Sequence, residues 1–284
     1  MNSIGLGIDY QHRDSYQKPL PALIEGLAQR ISHISVVGLQ TERDVHNFTQ
    51  MTNLPLLHHF TGVAPAGVYG VQMDALRHQR EISRKIQALW CLEDIGVWNI
   101  GPYNIPYFAP PVLCEAVLQQ TIAGVKAIQR EVDVPFLAEV PSCSFVAGDI
   151  SLGDFFQRLV SATACGVVLD VSHVYSYAIY TGTPVTEALA SFPLQNVIEI
   201  HIAGGSVHPT HTWRYRDTHV EPVLPEVIET LANALPLCPA LRAVTYEIGQ
   251  GMNVDLIDRE LNRLQAVADS VGFHPRLTAC LTHV

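Results

Sequence analysis

Eight short apolar runs, separated by stretches of helical spacing or helix-forming composition, restrict this chain more than any other feature. The runs are Ile4 to Ile8, Ile34 to Leu39, Leu54 to Leu57, Ala88 to Leu92, Pro135 to Ala138, Gly166 to Val171, Val197 to Ile202 and Ala243 to Tyr246. Helical stretches between them are clearest at Gln72 to Gln87, Pro110 to Glu131, Ser151 to Thr163, Pro222 to Ala234 and Val254 to Val267. A strand buried on both faces reads as a near-continuous apolar segment, as Gly-Val-Val-Leu-Asp-Val at 166–171 does, and parallel strands need crossovers between them. Strand–helix alternation of this kind predicts an α/β fold, a closed (β/α)8 TIM barrel, with an open doubly wound sheet as the alternative. No internal repeat, low-complexity tract or linker divides the chain, so one domain over residues 1–284 is expected.

The ends of these runs carry a series of metal-ligand residue types. Glu139 ends the fifth, Asp170 and His173 leave the sixth, His201 lies in the seventh, Asp217 and His219 follow it, and Glu247 closes the eighth. His59 and Asp94 stand at the third and fourth. In a barrel, the carboxyl ends of different strands meet at one face, so residues far apart in sequence become one site. A lone Glu or His at a strand end is ordinarily a solvated or hydrogen-bonded side chain. Nine of them converging would bury charge that has to be neutralised, and a polynuclear metal site does this. Carboxylate and imidazole together suit iron, manganese or zinc, and bridging carboxylates hold two or three ions close together. Asp170 and His173 are read as aimed at one ion across a turn. Asp217 and His219, one residue apart, are read as sharing a side of an extended segment. His58 should face away from His59 and is read as packing or as support behind the ligands, and Tyr246 and Glu199 are read in the same way.

Composition narrows the setting. The chain has 284 residues, 48% hydrophobic and 15% charged, which allows a sizeable core. Its formal charge of −10 repels a phosphate backbone, so nucleic acid is not an expected partner. No apolar stretch approaches membrane-spanning length and Met1 to Tyr10 lacks signal-peptide form, so a cytoplasmic protein without a membrane segment is expected. Six cysteines without a CxxC pair read as reduced thiols, mostly in the core. GxSxG, P-loop and dinucleotide-binding patterns are absent, so acyl-enzyme and nucleotide chemistries have no motif support. Gly96 to Pro111 reads as a long loop suited to covering a substrate, and Gly204 to Arg216 as another, whose His208 and His211 are read as solvent-facing.

Particular strings carry a family resemblance. The ligand order is similar to that of the xylose-isomerase-like barrels, which include trinuclear-zinc endonucleases acting on abasic DNA. More narrowly, Pro-Leu-Leu-His-His at 55–59, Asn-Ile-Pro-Tyr at 104–107, Leu-Asp-Val-Ser-His-Val-Tyr at 169–175, Glu-Ile-His-Ile-Ala-Gly at 199–204 and Asp-Thr-His-Val-Glu-Pro-Val at 217–223 resemble the DUF692 family. Its members are multinuclear non-haem iron-dependent oxidases, the methanobactin biosynthesis enzyme among them. The resemblance covers roughly residues 54 to 250.

It implies metal binding by His59, Glu139, Asp170, His173, His201, Asp217, His219 and Glu247; the strand-end reading adds Asp94, and Asp94 and His173 are assigned a direct part in catalysis. It also implies two or three iron ions, dioxygen as co-substrate, and oxidation of a cysteine in a ribosomally synthesised precursor peptide, with a separate leader-binding protein in many relatives. Three positions depart from the family pattern. Asp94 stands where histidine is usual, Val140 follows Glu139 where asparagine is usual, and His173 replaces a frequent asparagine. These departures keep zinc and manganese in view, and with them a phosphodiesterase or sugar isomerase. A non-catalytic metal- or peptide-binding protein is the remaining alternative. Trp98, Tyr103, Tyr107, Tyr175, Trp213 and Arg214 are the loop residues available to a peptide.

Overall fold

The computed structural model describes residues 3–12, 20–27, 30–100, 103–143 and 145–273. Eight parallel strands form the expected closed barrel: β1 (Gly5–Gln11), β2 (Ile34–Val37), β3 (Leu56–His59), β4 (Cys91–Asp94), β5 (Phe136–Glu139), β6 (Gly166–Asp170), β7 (Val197–Ala203) and β8 (Ala243–Glu247). Each pairs with the next in sequence, and β8 closes on β1. Helices at Met73–Lys85, Glu115–Glu131, Leu152–Thr163, Pro225–Ala234 and Val254–Ser270 match the stretches read from the sequence. Four further helices, Leu20–Leu27, Glu42–Thr49, Val171–Thr181 and Val185–Ala190, were not among them. Three of these are only 6 to 8 residues long, too short for a clear period. The fourth is buried on all sides over Val171–Ala178, so it has no polar stripe to mark it.

Parallel pairing fixes which side chains enter the bore. Register places Asp9 beside Glu247, Thr245 beside His201, His201 beside Asp170, and Asp94 beside Glu139. Side chains alternate along a strand, so the residues two positions earlier also point inward, one layer lower. That lower layer is largely apolar, with Leu57, Trp90, Leu92, Leu137, Val168 and Ala243 packed as a cluster of their own. The larger apolar core lies between the strands and the surrounding helices. The bore is therefore a filled floor with a polar top.

Two expectations about loops need correction. Gly96 to Pro111 holds an antiparallel hairpin, Val97–Ile100 against Tyr103–Ala109, and Gly204 to Arg216 opens and closes with a second, Gly205–Val207 against Tyr215–Asp217. Their Gly, Asn and Pro content obscures short two-stranded ladders that bury little. Four cysteines, Cys91, Cys143, Cys165 and Cys238, are free and buried as expected, Cys114 is half-buried, and Cys280 lies outside the described residues. Among the described residues no helix is long and apolar enough to cross a membrane.

Gly7 marks the tightest place in the bore. A Cβ there would sit 2.5 Å from three atoms of the His33 ring, which is itself completely buried. Gly7→Ala is expected to destabilise the protein by about 1–3 kcal/mol through overpacking, read as a lower midpoint in urea. An unchanged midpoint would show that the His33 ring has room to move.

Candidate metal centre

The strand ends deliver six carboxylates and four imidazoles to the top of the bore. Asp9, His59, Asp94, Glu139, Asp170, His173, His201 and Glu247 are all at least nine-tenths buried. Glu139 is central. It shares three of four clusters whose ligand atoms lie within 4.8 Å of one another: with His59 and His201, with Asp170, His201 and Glu247, and with Asp94 and His173. The fourth cluster joins Asp9, His59 and Glu247. His59 Nε2 lies 3.4 Å from Glu139 Oε2 and 3.6 Å from Asp94 Oδ2. His201 Nδ1 lies 2.9 Å from Glu139 Oε1 and 3.1 Å from Glu247 Oε1.

Three imidazoles are held from behind. His59 Nδ1 meets Asp9 Oδ2 at 3.1 Å, His173 Nδ1 meets the Val140 carbonyl at 2.6 Å, and His201 Nε2 meets Glu199 Oε1 at 3.0 Å. A carbonyl only accepts, so His173 carries its proton on Nδ1 and turns Nε2 toward Asp217 Oδ2, 2.9 Å away. Val140, a departure from the family pattern in its side chain, thus contributes through its backbone.

Local backbone chemistry shapes the rest. Asp170 is the N-cap of the helix Val171–Thr181: its Oδ1 accepts from Ser172 N at 2.6 Å and His173 N at 2.9 Å, and its Oδ2 stays free of hydrogen bonds. The expected turn between Asp170 and His173 is therefore the first turn of a helix. Asp217 and His219 also meet by another route than extended backbone. His219 is left-handed, with φ of 57°, pinned by its N–H to the Gly204 carbonyl at 2.9 Å and by its own carbonyl to Gly249 N at 2.7 Å. This brings His219 Nε2 to 3.1 Å from Asp217 Oδ2 and 3.5 Å from Glu247 Oε2. Asp217 and His219 border the four clusters without belonging to them.

Two residues of the centre were not picked out from the sequence as functional. Asp9 directly follows the first apolar run, and the rule applied to the other strand ends would have found it. Glu199 was read only as packing or as support behind the ligands, and it lies two residues before His201 and so shares its side of the strand. Its register partner on β6 is Val168, two before Asp170. His58 does face outward, with Nδ1 2.7 Å from Ser83 Oγ. Tyr246 is buried outside the bore against Met252. His208 is half-buried and His211 exposed, and they contact each other at 3.2 Å outside the four clusters.

The electrostatics describe a cluster with too little positive charge. Burial pushes Glu139 up to about 8, with Asp94 adding to the shift and His201 and His59 only partly opposing it. Burial likewise raises Asp170 to about 6. Burial acts against the charged forms of His59, His173 and His201 as well, but adjoining carboxylates outweigh it and raise all three well above the ordinary histidine value. His219 reaches about 10, because Asp217 and Glu247 overcome its burial. Asp217 is held below the ordinary range against its burial by His219 and His173. Six buried oxygens on five carboxylates have no hydrogen bond: Asp94 Oδ1, Glu139 Oε1 and Oε2, Asp170 Oδ2, Asp217 Oδ1 and Glu247 Oε2. Buried polar atoms are rarely left so, and a shared set of orphaned oxygens among imidazoles fits cations.

A cavity of about 300 Å³ opens onto this cluster, lined by Asp9, His59, Asp94, His173, His219 and Glu247 on the acidic side and by Trp98, Tyr107 and Phe108 of the hairpin. Tyr103 is exposed on the same hairpin, whereas Tyr175 is buried against Tyr215 and Trp213 packs on Tyr180.

Residues 4–268 match the family described as RiPP precursor modification enzyme MbnB/TglH/ChrH. The chain belongs to this family. A UPF0276 protein of Rhizorhabdus wittichii is 26% identical over 277 residues, 97% of each chain, and one of Caulobacter vibrioides is 23% identical over 228 residues, 78% of each. Among solved structures, an IolI protein with a bound zinc atom aligns with a TM-score of 0.62 at 11% identity, over 98% of this chain and 100% of the other. Endonuclease IV of Thermus thermophilus aligns with a TM-score of 0.60 at 15% identity, over 93% and 99%. A xylose isomerase-like TIM barrel protein of Mycobacterium smegmatis, in complex with magnesium, scores 0.60 at 12% over 95% and 98%. These likenesses show the same barrel fold. The family membership adds a multinuclear metal centre, which the buried clusters suit.

The titration pattern has a sign that can be checked in metal-free protein. His219, raised to about 10, stabilises the fold fully below pH 6.5 and loses that contribution as pH rises toward 10. Glu139, raised to about 8, destabilises progressively from its unfolded value near 4.5 up to pH 8. Thermal unfolding without metal should therefore show stability falling between pH 6.5 and 10, while divalent ions should bind more tightly over that range and release protons on binding. Stability that rises across this interval, or binding without proton release, would contradict the assignment.

Proposed function

We propose that this protein is a multinuclear iron-dependent oxidase that uses dioxygen to modify a cysteine of a ribosomally synthesised precursor peptide. The observation that carries the reading is the set of six orphaned carboxylate oxygens around four imidazoles at the floor of an open cavity, in a chain of a precursor-modifying family. Glu139, Asp170, His201 and Glu247 would hold one ion, and His59, Asp94, Glu139 and His173 a second, with Asp217 and His219 as further ligands at the edge of the cluster and Asp9 behind His59. Carboxylate and imidazole without thiolate from the protein suit iron while leaving sulfur ligation to a substrate. When bound, the ions supply dioxygen activation and a site for the substrate sulfur.

The remaining roles fall to the chain itself. Asp94 lines the cavity with Oδ1 unengaged and is assigned the proton movements next to the reacting atoms, while His173, which also lines it, has Nδ1 committed to the Val140 carbonyl and Nε2 to the second ion. Trp98, Tyr107 and Phe108 wall the opening against water, Tyr107 stacking on Phe108 with ring centres 4.7 Å apart. Beyond Thr61 and Trp98 the cavity meets an open groove of about 740 Å³, lined also by Tyr69, Gln72, Arg77 and Asn104. A groove of that size beside the reacting pocket favours a chain-like substrate over a monosaccharide.

Protein purified anaerobically after growth with iron should contain two or three iron ions per chain and consume oxygen only with its peptide. Zinc alone, with no iron taken up under reducing conditions, would sink the oxidase reading and leave a hydrolytic or isomerising metalloenzyme. His201→Ala and Asp217→Ala should each lower metal content by about one ion without unfolding the barrel, and unchanged metal content in both would refute the site.

A further inference from the structure

Glu199 is completely buried in the bore, one layer below the metal ligands, and the proposed chemistry does not use it. Its carboxylate is saturated with donors. Oε2 accepts from Trp90 Nε1 at 2.7 Å, and Oε1 accepts from His201 Nε2 at 3.0 Å and from the Thr245 hydroxyl. Thr245 spends its single proton on Glu199, so its 2.9 Å contact with His33 Nε2 requires the ring to donate there. Burial holds His33 near a pKa of 4, so the ring is neutral, with Nδ1 unprotonated and 3.2 Å from Ser32 Oγ. Every hydrogen bond in the network then has a direction: His33 to Thr245, Thr245 to Glu199, with Trp90 and His201 donating to the same carboxylate. Gly7, which lacks the Cβ that would strike the His33 ring, makes the arrangement possible.

We propose that Glu199 is a positioning residue, which fixes His201 in the tautomer and ring orientation that aim Nδ1 at the ion shared by Glu139, Asp170 and Glu247. This rests on the metal reading above. A carboxylate behind a ligating imidazole holds its orientation and makes the metal-facing nitrogen a stronger donor. A structural role alone accounts poorly for the charge, since a buried ionic group replaced by apolar residues of similar volume often leaves stability unchanged or improved. Here one carboxylate collects donors from β7, β8 and the approach to β4, and it is aligned with the one imidazole that lies deepest in the cluster. The same geometry separates His201 from His59 and His173, whose orienting acceptors are Asp9 and a backbone carbonyl.

The test uses cobalt(II) as the probe, added anaerobically to the metal-free protein and followed by its visible absorption, with circular dichroism and thermal unfolding of the metal-free forms as controls. Glu199→Gln keeps the shape and removes the charge; one cobalt ion should bind about 10–100-fold more weakly with an altered spectrum, while the others bind as before. Thr245→Val leaves the charge and removes one donor, and it should weaken the same ion less. Both variants folded, with wild-type affinity and spectrum, would overturn the inference and leave the metal site standing. Failure of the wild-type protein to bind cobalt would overturn both. Should Glu199→Gln fail to fold, Thr245→Val decides: weakened binding of one ion supports the positioning role, and wild-type binding refutes it.

Discussion

The concentration of negative charge at one end of the bore is the constraint to which the rest of this structure answers. Six carboxylates sit among four imidazoles behind low-dielectric walls, where an uncompensated anion is far costlier than in water. In the metal-free protein, protons carry the compensation, which is why histidines rise and Glu139 and Asp170 rise with them. Divalent cations neutralise the same charge with fewer particles and satisfy the orphaned oxygens directly. The proton-filled cluster and the metal-filled one are two solutions of one electrostatic problem, so they compete.

The barrel supplies what that problem needs. Parallel register stacks the ligands at one level, and the apolar layer below them keeps water from entering from beneath. Backbone groups then assign each side chain one task on each side. Asp170 caps a helix with one oxygen and offers the other to the cluster; His173 gives one nitrogen to Val140 and keeps the other. Beside the cluster, His219 is held left-handed, pinned between two loops.

Much of this was legible in the sequence, because the barrel rests on period and order. Apolar runs with a ligand type at the end report both a strand and the face at which it stops, and this was enough to assemble candidate ligands from six strand ends and the loop after β7. What escaped has physical reasons. The helix after β6 is buried all round, so it shows no amphipathic period, and the true relation of Asp170 to His173 was hidden with it. The two hairpins are interrupted by Gly, Asn or Pro, or have strands of only three residues, and so do not show as apolar runs. Left-handed backbone at His219 has no signal in a non-glycine residue. Asp9 and Glu199 are different, since strand alternation contained both. The spacing from Glu199 to His201 states that they share a face.

Asp94, Val140 and His173, which the resemblance marks as departures, lie together around Glu139. Val140 holds His173, while His173 and Asp94 share one cluster with Glu139. The most direct test of the account is anomalous diffraction at the iron edge from crystals loaded anaerobically with iron(II). At least two peaks about 3.5–4 Å apart, with the Glu139 carboxylate between them, are expected. A single peak, or peaks away from Glu139, would contradict the shared-charge origin proposed for this site.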